Sequence, residues 1–151
     1  MQNKNKQKGF TLIEILVVMG IIAVLATIVL VAVNPARQFA QARDTQRSSN
    51  VNTLLNAIGQ RIADNRGVFE AGGCADAIPN STTTISSDDY DIYSCIIPNY
   101  LAAIPFDPST GSFVSETNYD TGYSIVKSAS TGRITITASS TEIGDVISVS
   151  R

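Results

Sequence analysis

From Phe10 to Val33 the chain is apolar almost without interruption, and Glu14 is the one strongly polar side chain in the run. About 23 apolar positions at about 1.5 Å each make a helix of roughly 35 Å, enough to cross a hydrocarbon layer of about 30 Å. After Pro35 the pattern turns one-sided. Val51, Leu55, Ile58 and Ile62 recur at spacings of four, three and four, with Leu54 beside them, while Arg43, Arg47, Asn52, Asn56 and Gln60 fall largely elsewhere. This periodicity predicts an amphipathic helix with one face turned to a core. It should stop near Arg66, where Gly67 supplies a C-cap able to take positive φ. If Pro35 kinks the helix without ending it, residues 10–66 form one rod of roughly 85 Å.

Beyond that helix the pattern shortens. Residues 67–91 are rich in Gly, Ser, Thr and Asp and read as loop, followed by Tyr93–Ile97 as a short apolar segment able to pair as a strand. Pro98 to Pro105 reads as a short helical turn bounded by prolines. Gly122–Lys127, Arg133–Ala138 and Gly144–Val149 alternate or cluster β-branched residues, with Ser130-Thr131-Gly132 as a hairpin turn between the first two. A long helix followed by antiparallel strands is an α+β order, with the sheet laid across the amphipathic half of the helix.

Composition narrows the chemistry. The 151 residues include no His, no Trp and two Cys, with a formal charge of -2. No nucleophile and base stand out, nor a phosphate-cradling Gly loop or an HExxH-type site, so no enzyme activity is expected. Residues 37–66 hold five Arg against two Asp, and residues 67–151 hold three basic against ten acidic residues. A basic stalk would therefore carry an acidic head, which is not the charge of a nucleic-acid binder. The opening Lys4, Lys6 and Lys8 precede the apolar run as in a secretory signal, yet the run passes into Asn34-Pro35 without a small-residue cleavage site. By the positive-inside rule those lysines stay cytoplasmic and the C-terminal part lies outside.

Five groups of residues carry candidate chemistry. Glu14 either reaches from a helix end toward the headgroups or needs a positive partner, since an unpaired charge in the bilayer is costly. Gly20 and Pro35 flank the central apolar run; they are either ordinary membrane-helix usage or points where the helix loosens. Cys74 and Cys95, 21 positions apart, lie outside the membrane and lack the further ligands a zinc site needs. A disulfide is the expectation, worth on the order of 3 kcal/mol in the chain-entropy model. Asp107, Glu116 and Asp120 offer oxygens suited to calcium, although solvated loop acids are the better account of them. Asn80-Ser81-Thr82 fits the glycosylation triplet.

The stretch Lys8-Gly9-Phe10-Thr11-Leu12-Ile13-Glu14 resembles the N-terminus of type IV prepilins and type II secretion pseudopilins, whose signal is Gly, Phe, Thr, Leu, a variable residue and Glu. The resemblance implies the pilin fold and a prepilin peptidase that cuts after Gly9 and methylates the new N-terminus of Phe10. It also implies that Glu14 pairs with the N-terminus of a neighbouring identical subunit during assembly by the pilus machinery of the membrane. Pro35 lies later than the usual helix-kinking proline of type IV pilins, and the cysteine pair lies earlier than their C-terminal disulfide. Pro105-Phe106-Asp107-Pro108 resembles the Pro-x-Asp-Pro segment of major pseudopilins, where the following loop binds calcium, though the spacing here differs. The expected organisation is a leader at 1–9, a transmembrane and assembly helix at 10–34, and a globular head at 35–151. The function so implied is a structural subunit of an extracellular filament, held in the plasma membrane before assembly. Two alternatives stand beside it: a major pseudopilin of a secretion or competence system, and a single-span binding module that never polymerises.

Overall fold

The computed structural model describes residues 9–151; Lys4, Lys6 and Lys8 of the expected leader lie outside them. Contacts divide the chain into two units with the boundary between Gln38 and Phe39.

In the first unit, α1 spans Leu12–Val33 with none of its residues buried. Thr11 is its N-cap, in extended conformation, and Glu14 at the third helical position completes a capping box. The helix is unbroken at Gly20. It ends at Asn34, whose backbone is left-handed (φ 43°), and a second helix, α2, spans Pro35–Asp64. The single rod predicted over residues 10–66 is therefore interrupted. Proline disfavours the α conformation in the residue before it, and Asn tolerates the left-handed region better than most side chains. Pro35 itself suits a first helical position, where the amide hydrogen it lacks would have no partner.

The second unit holds the core. Val51, Leu54, Leu55 and Ile58 of α2 are buried, as predicted, with Ile62 partly buried at the margin. Helix α2 closes beyond Asp64, where the Gly67 amide bonds the Ile62 carbonyl at 2.8 Å and Arg66 adopts φ 57°. Five strands follow: β1 Thr83–Ser86, β2 Ser112–Ser115, β3 Asn118–Lys127, β4 Ile134–Ala138 and β5 Ile147–Ser150. All pairings are antiparallel, in the order β1-β3-β4-β5, with β2 paired to the start of β3. The long strand β3 alternates strictly, burying Tyr119, Thr121, Tyr123 and Ile125. Tyr119, Tyr123 and Ile125, with Ile134, Ile136 and Ala138 of β4, meet the α2 stripe in one cluster.

Sequence-based expectations fail in three places here. Tyr93–Ile96 is a short helix, α3, and not a strand; Ile92 and Tyr93 carbonyls accept from Ile96 and Ile97 amides in helical fashion. The helical turn expected over Pro98–Pro105 is thus shifted toward residues 93–100. Strands β1 and β2 fall in stretches too short and too polar to stand out, and both are fixed by pairing with β3. The architecture remains a long N-terminal apolar helix followed by a C-terminal antiparallel sheet, the α+β class of the pilin fold.

Candidate functional site

At the N-terminus, Gly9 and Phe10 precede the first turn of α1, and Phe10 is 83% exposed. Among the described residues nothing lies within 4 Å of a side chain built at Gly9. Four residues later the carboxylate of Glu14 turns back on the chain. Its Oε2 accepts from the Thr11 amide and the Thr11 hydroxyl, each at 2.8 Å, while the Glu14 amide donates to Thr11 Oγ1. Among the described residues this places one acid at the start of an otherwise apolar helix, against the backbone of Thr11.

A second assembly of charge occupies the head. Arg47 has no exposed surface and makes five hydrogen bonds to four residues. Its Nε and Nη2 straddle the Asp107 carboxylate at 2.7 and 3.2 Å, Nη1 reaches Asp44 at 2.8 Å and Glu142 at 3.1 Å, and Nη2 also meets Ser109 at 2.6 Å. Arg43 pairs with Glu142 from outside, and the Asp44 carboxylate accepts the backbone amides of Glu142 and Ile143. The cluster ties α2 to two loops at once. Burial works to raise the Asp107 carboxyl, but Arg47, the Ser109 and Thr110 amides and the Ser109 hydroxyl hold it well below the usual range. Glu142 is drawn down to about 2 by Arg43, against desolvation, with help from Arg47.

The turn that carries Asp107 has little room to change. Its Oδ1 accepts from the Ser109 and Thr110 amides at 2.8 and 3.0 Å. A Cβ on Gly111 would lie 2.6 Å from the Asp107 nitrogen, and one on Gly122 would lie 2.8 Å from Thr110 Oγ1. Gly122 also sits at φ 70°, which disfavours side chains independently of space.

The calcium candidates are not brought together. Asp107 is fully buried with both oxygens engaged, Glu116 is exposed at the β2–β3 turn, and Asp120 spends Oδ1 on the Gly122 amide. Among the described residues no group of three or more His, Cys, Asp or Glu side chains could hold a metal ion. The donor set therefore does not fit a calcium ion, because the Asp107 oxygens already surround a guanidinium.

Cys74 and Cys95 form a disulfide with Cα atoms 5.2 Å apart, joining the loop after α2 to α3. Arg61 of α2 lies beside it, nearly buried. The apolar face predicted from periodicity excludes Arg47 and does not include Arg61. Yet Arg47, Val51, Leu54, Ile58 and Arg61 follow one another at spacings of four, three, four and three, so both arginines belong to the buried stripe. That spacing was the available signal.

The family model described as "prokaryotic N-terminal methylation motif" matches residues 4–30. No solved structure matches the chain.

Proposed function

We propose, from the premise that the methylation motif at residues 4–30 supports a type IV pilin-like or pseudopilin family, that this protein is a structural subunit of a pilus-like filament. The motif implies processing by a prepilin peptidase and handling by an assembly machinery, and the pilin-type family is structural, not enzymatic. The apolar helix fits anchoring in a membrane before assembly.

The observation that carries the proposal is α1 itself: an apolar helix with no buried residue and one carboxylate at its start. Such a surface needs a non-aqueous surrounding, first lipid and then other copies of the same helix. Hydrolysis of Gly9–Phe10 frees an amine at Phe10 that, methylated, stays positively charged. Glu14, held one turn away by the capping box, is the matching negative group and sets the axial register between neighbouring subunits. The filament is an open helical assembly of identical contacts, with the acidic heads facing outward. Gly20 and Pro35 serve as points of adjustment as the helices pack.

The Pro105–Pro108 segment favours one variant of this reading, a major pseudopilin of a secretion or competence system, and genes for an outer-membrane secretion channel beside this one would support it. The decisive experiment is an N-terminal mass measurement together with negative-stain microscopy of material sheared from cells. A mature chain starting at methylated Phe10 in filaments is expected. Intact residues 1–9 on the mature protein, with no filaments, would instead favour the membrane-anchored binding module.

A further inference from the structure

Among the described residues Arg61 is a buried cation without a carboxylate partner. Its Nε donates to the Phe69 carbonyl at 2.7 Å, Nη1 to the Cys95 carbonyl at 2.9 Å, and Nη2 to the Ala71 carbonyl at 2.7 Å and Cys74 Sγ at 2.8 Å. Its guanidinium carbon also lies 5.7 Å from the Phe69 ring centroid. Buried charges are ordinarily paired; here four neutral acceptors surround the guanidinium, one of them a disulfide sulfur. The two sulfurs differ. Cys95 is fully buried beside Ile92 and Ile96, whereas Cys74 is partly exposed at a depression lined by Asp76, Asp89, Tyr90 and Asp91.

We propose that Cys74 is the reactive sulfur of this pair and that Arg61 makes it so, by holding it as a thiolate whenever the disulfide is open. Three carbonyl bonds fix the guanidinium without help from the sulfur, so it keeps its place when the S–S bond is absent. A thiolate at Cys74 then supplies the negative charge that the site lacks, and a cation in contact with a thiol lowers its pKa. The opposing charges are the carboxylates of Asp76, Asp89 and Asp91 at the depression, Glu70 on the same loop and Asp64 on α2. Tyr90 is neutral, its hydroxyl bonded to the Asp76 carbonyl. None of these groups donates to the sulfur; the guanidinium touches it.

The chemistry assigned is disulfide exchange with a disulfide-bearing oxidant. The Cys74 thiolate attacks one oxidant sulfur, the oxidant S–S bond breaks, and half of the oxidant leaves as a thiolate. Cys95 gives its proton to water and attacks Cys74 Sγ; the protein disulfide forms and the second half leaves as a thiolate. Two electrons pass from the cysteine pair to the oxidant. Arg61 thereby also gathers both partners of the closure, since it binds the Cys95 carbonyl and the Cys74 sulfur together.

The test uses the full chain in detergent micelles and iodoacetamide, a neutral probe that the surrounding acids do not repel. In Cys95→Ser protein the alkylation rate of Cys74 should follow a midpoint at least one unit below the ordinary thiol value of about 8.5. At pH 7 the first unit of lowering should leave Cys74 roughly threefold faster than an unperturbed thiol, the gain in thiolate being partly offset by weaker nucleophilicity, and further lowering should add little. Adding Arg61→Gln should return the midpoint to the ordinary value, and Arg61→Lys should leave it lowered. A midpoint at or above about 8.5 in folded Cys95→Ser protein, or one unmoved by Arg61→Gln, would overturn the proposal. Where Arg61→Gln unfolds the head, the Cys74 midpoint of Cys95→Ser protein, measured folded and again in denaturant, still decides it: the folded midpoint must lie at least one unit below the denatured one, and an equal or higher folded midpoint refutes it.

Discussion

With Arg47 removed, the fully buried carboxylate of Asp107 would be left facing Asp44 and Glu142 without its main counter-charge. Breaking a buried pair from one side costs about 3–5 kcal/mol, because the remaining charge stays desolvated. Arg47→Met should therefore destabilise the head by that order in thermal or denaturant unfolding. Arg47→Lys should recover only part of it, since an ammonium cannot straddle the carboxylate. The same cluster sets an acid dependence. Asp44, Asp107 and Glu142 all have folded-state pKa values below their ordinary ones, so their contribution is complete above the unfolded carboxylate range. It is lost as pH falls through the folded values, which for Glu142 is about 2. The melting temperature should fall from about pH 5 downward, and Arg47→Met should flatten that slope. A head that melts at the same temperature at pH 3 as at pH 7 would remove the cluster from the account. Gly122→Ala, at φ 70° and with Thr110 and Asp107 in the way, should cost about 1–3 kcal/mol.

Among the elements, the junction of α1 and α2 separates two different reasons for being helical. Helix α1 is apolar apart from Glu14 in its first turn and has no buried residue; α2 has a buried stripe and earns its stability from the head. Asn34 and Pro35 mark the change. Pro35→Ala restores an amide and lifts the restriction on Asn34, so residues 33–36 should become continuously helical, read as a helical Cα shift of Asn34 in NMR spectra of the full chain in micelles. An unchanged left-handed shift would show that Asn34 alone ends α1. The loop from α2 to β1 is too polar to bury much of itself, and it is held by the Cys74–Cys95 bridge and by Arg61. Replacing both cysteines by Ser should lower stability by about 3 kcal/mol, and intact mass of the native protein should rise by two hydrogens on reduction.

For the whole molecule, assembly and folding should separate cleanly, because Glu14 lies in one unit and the core in the other. Glu14→Ala removes the costly charge from the apolar segment, so the variant should accumulate in membranes, with an unchanged head and few or no filaments by microscopy. Normal filament number in that variant would sink the role given to Glu14. Gly9→Val should leave the leader attached and the chain in the membrane. Filaments made of unprocessed Gly9→Val protein would contradict the processing step.

What the sequence determined by itself was whatever depends on neighbours along the chain. The apolar run, the Gly9–Phe10 junction, Glu14 one turn later and the Val51–Ile62 stripe are local patterns, and a helix of period 3.6 turns them directly into a surface. The late hairpin was legible for the same reason, since β3 and β4 are joined by a short turn. Tertiary structure alone decided the remainder. Strand β1 exists because Thr83 and Thr84 pair with Ile125 and Ser124, about forty positions away, and α3 takes its place beside the disulfide and not in the sheet. Polar residues were misjudged most, because hydrophobicity assigns an arginine to the surface. Arg47 and Arg61 are buried where acceptors brought from distant loops replace water, Asp107 and Glu142 for one and the carbonyls of residues 69, 71 and 95 for the other. No local pattern states which acceptors will arrive; only the folded chain brings them within hydrogen-bond distance.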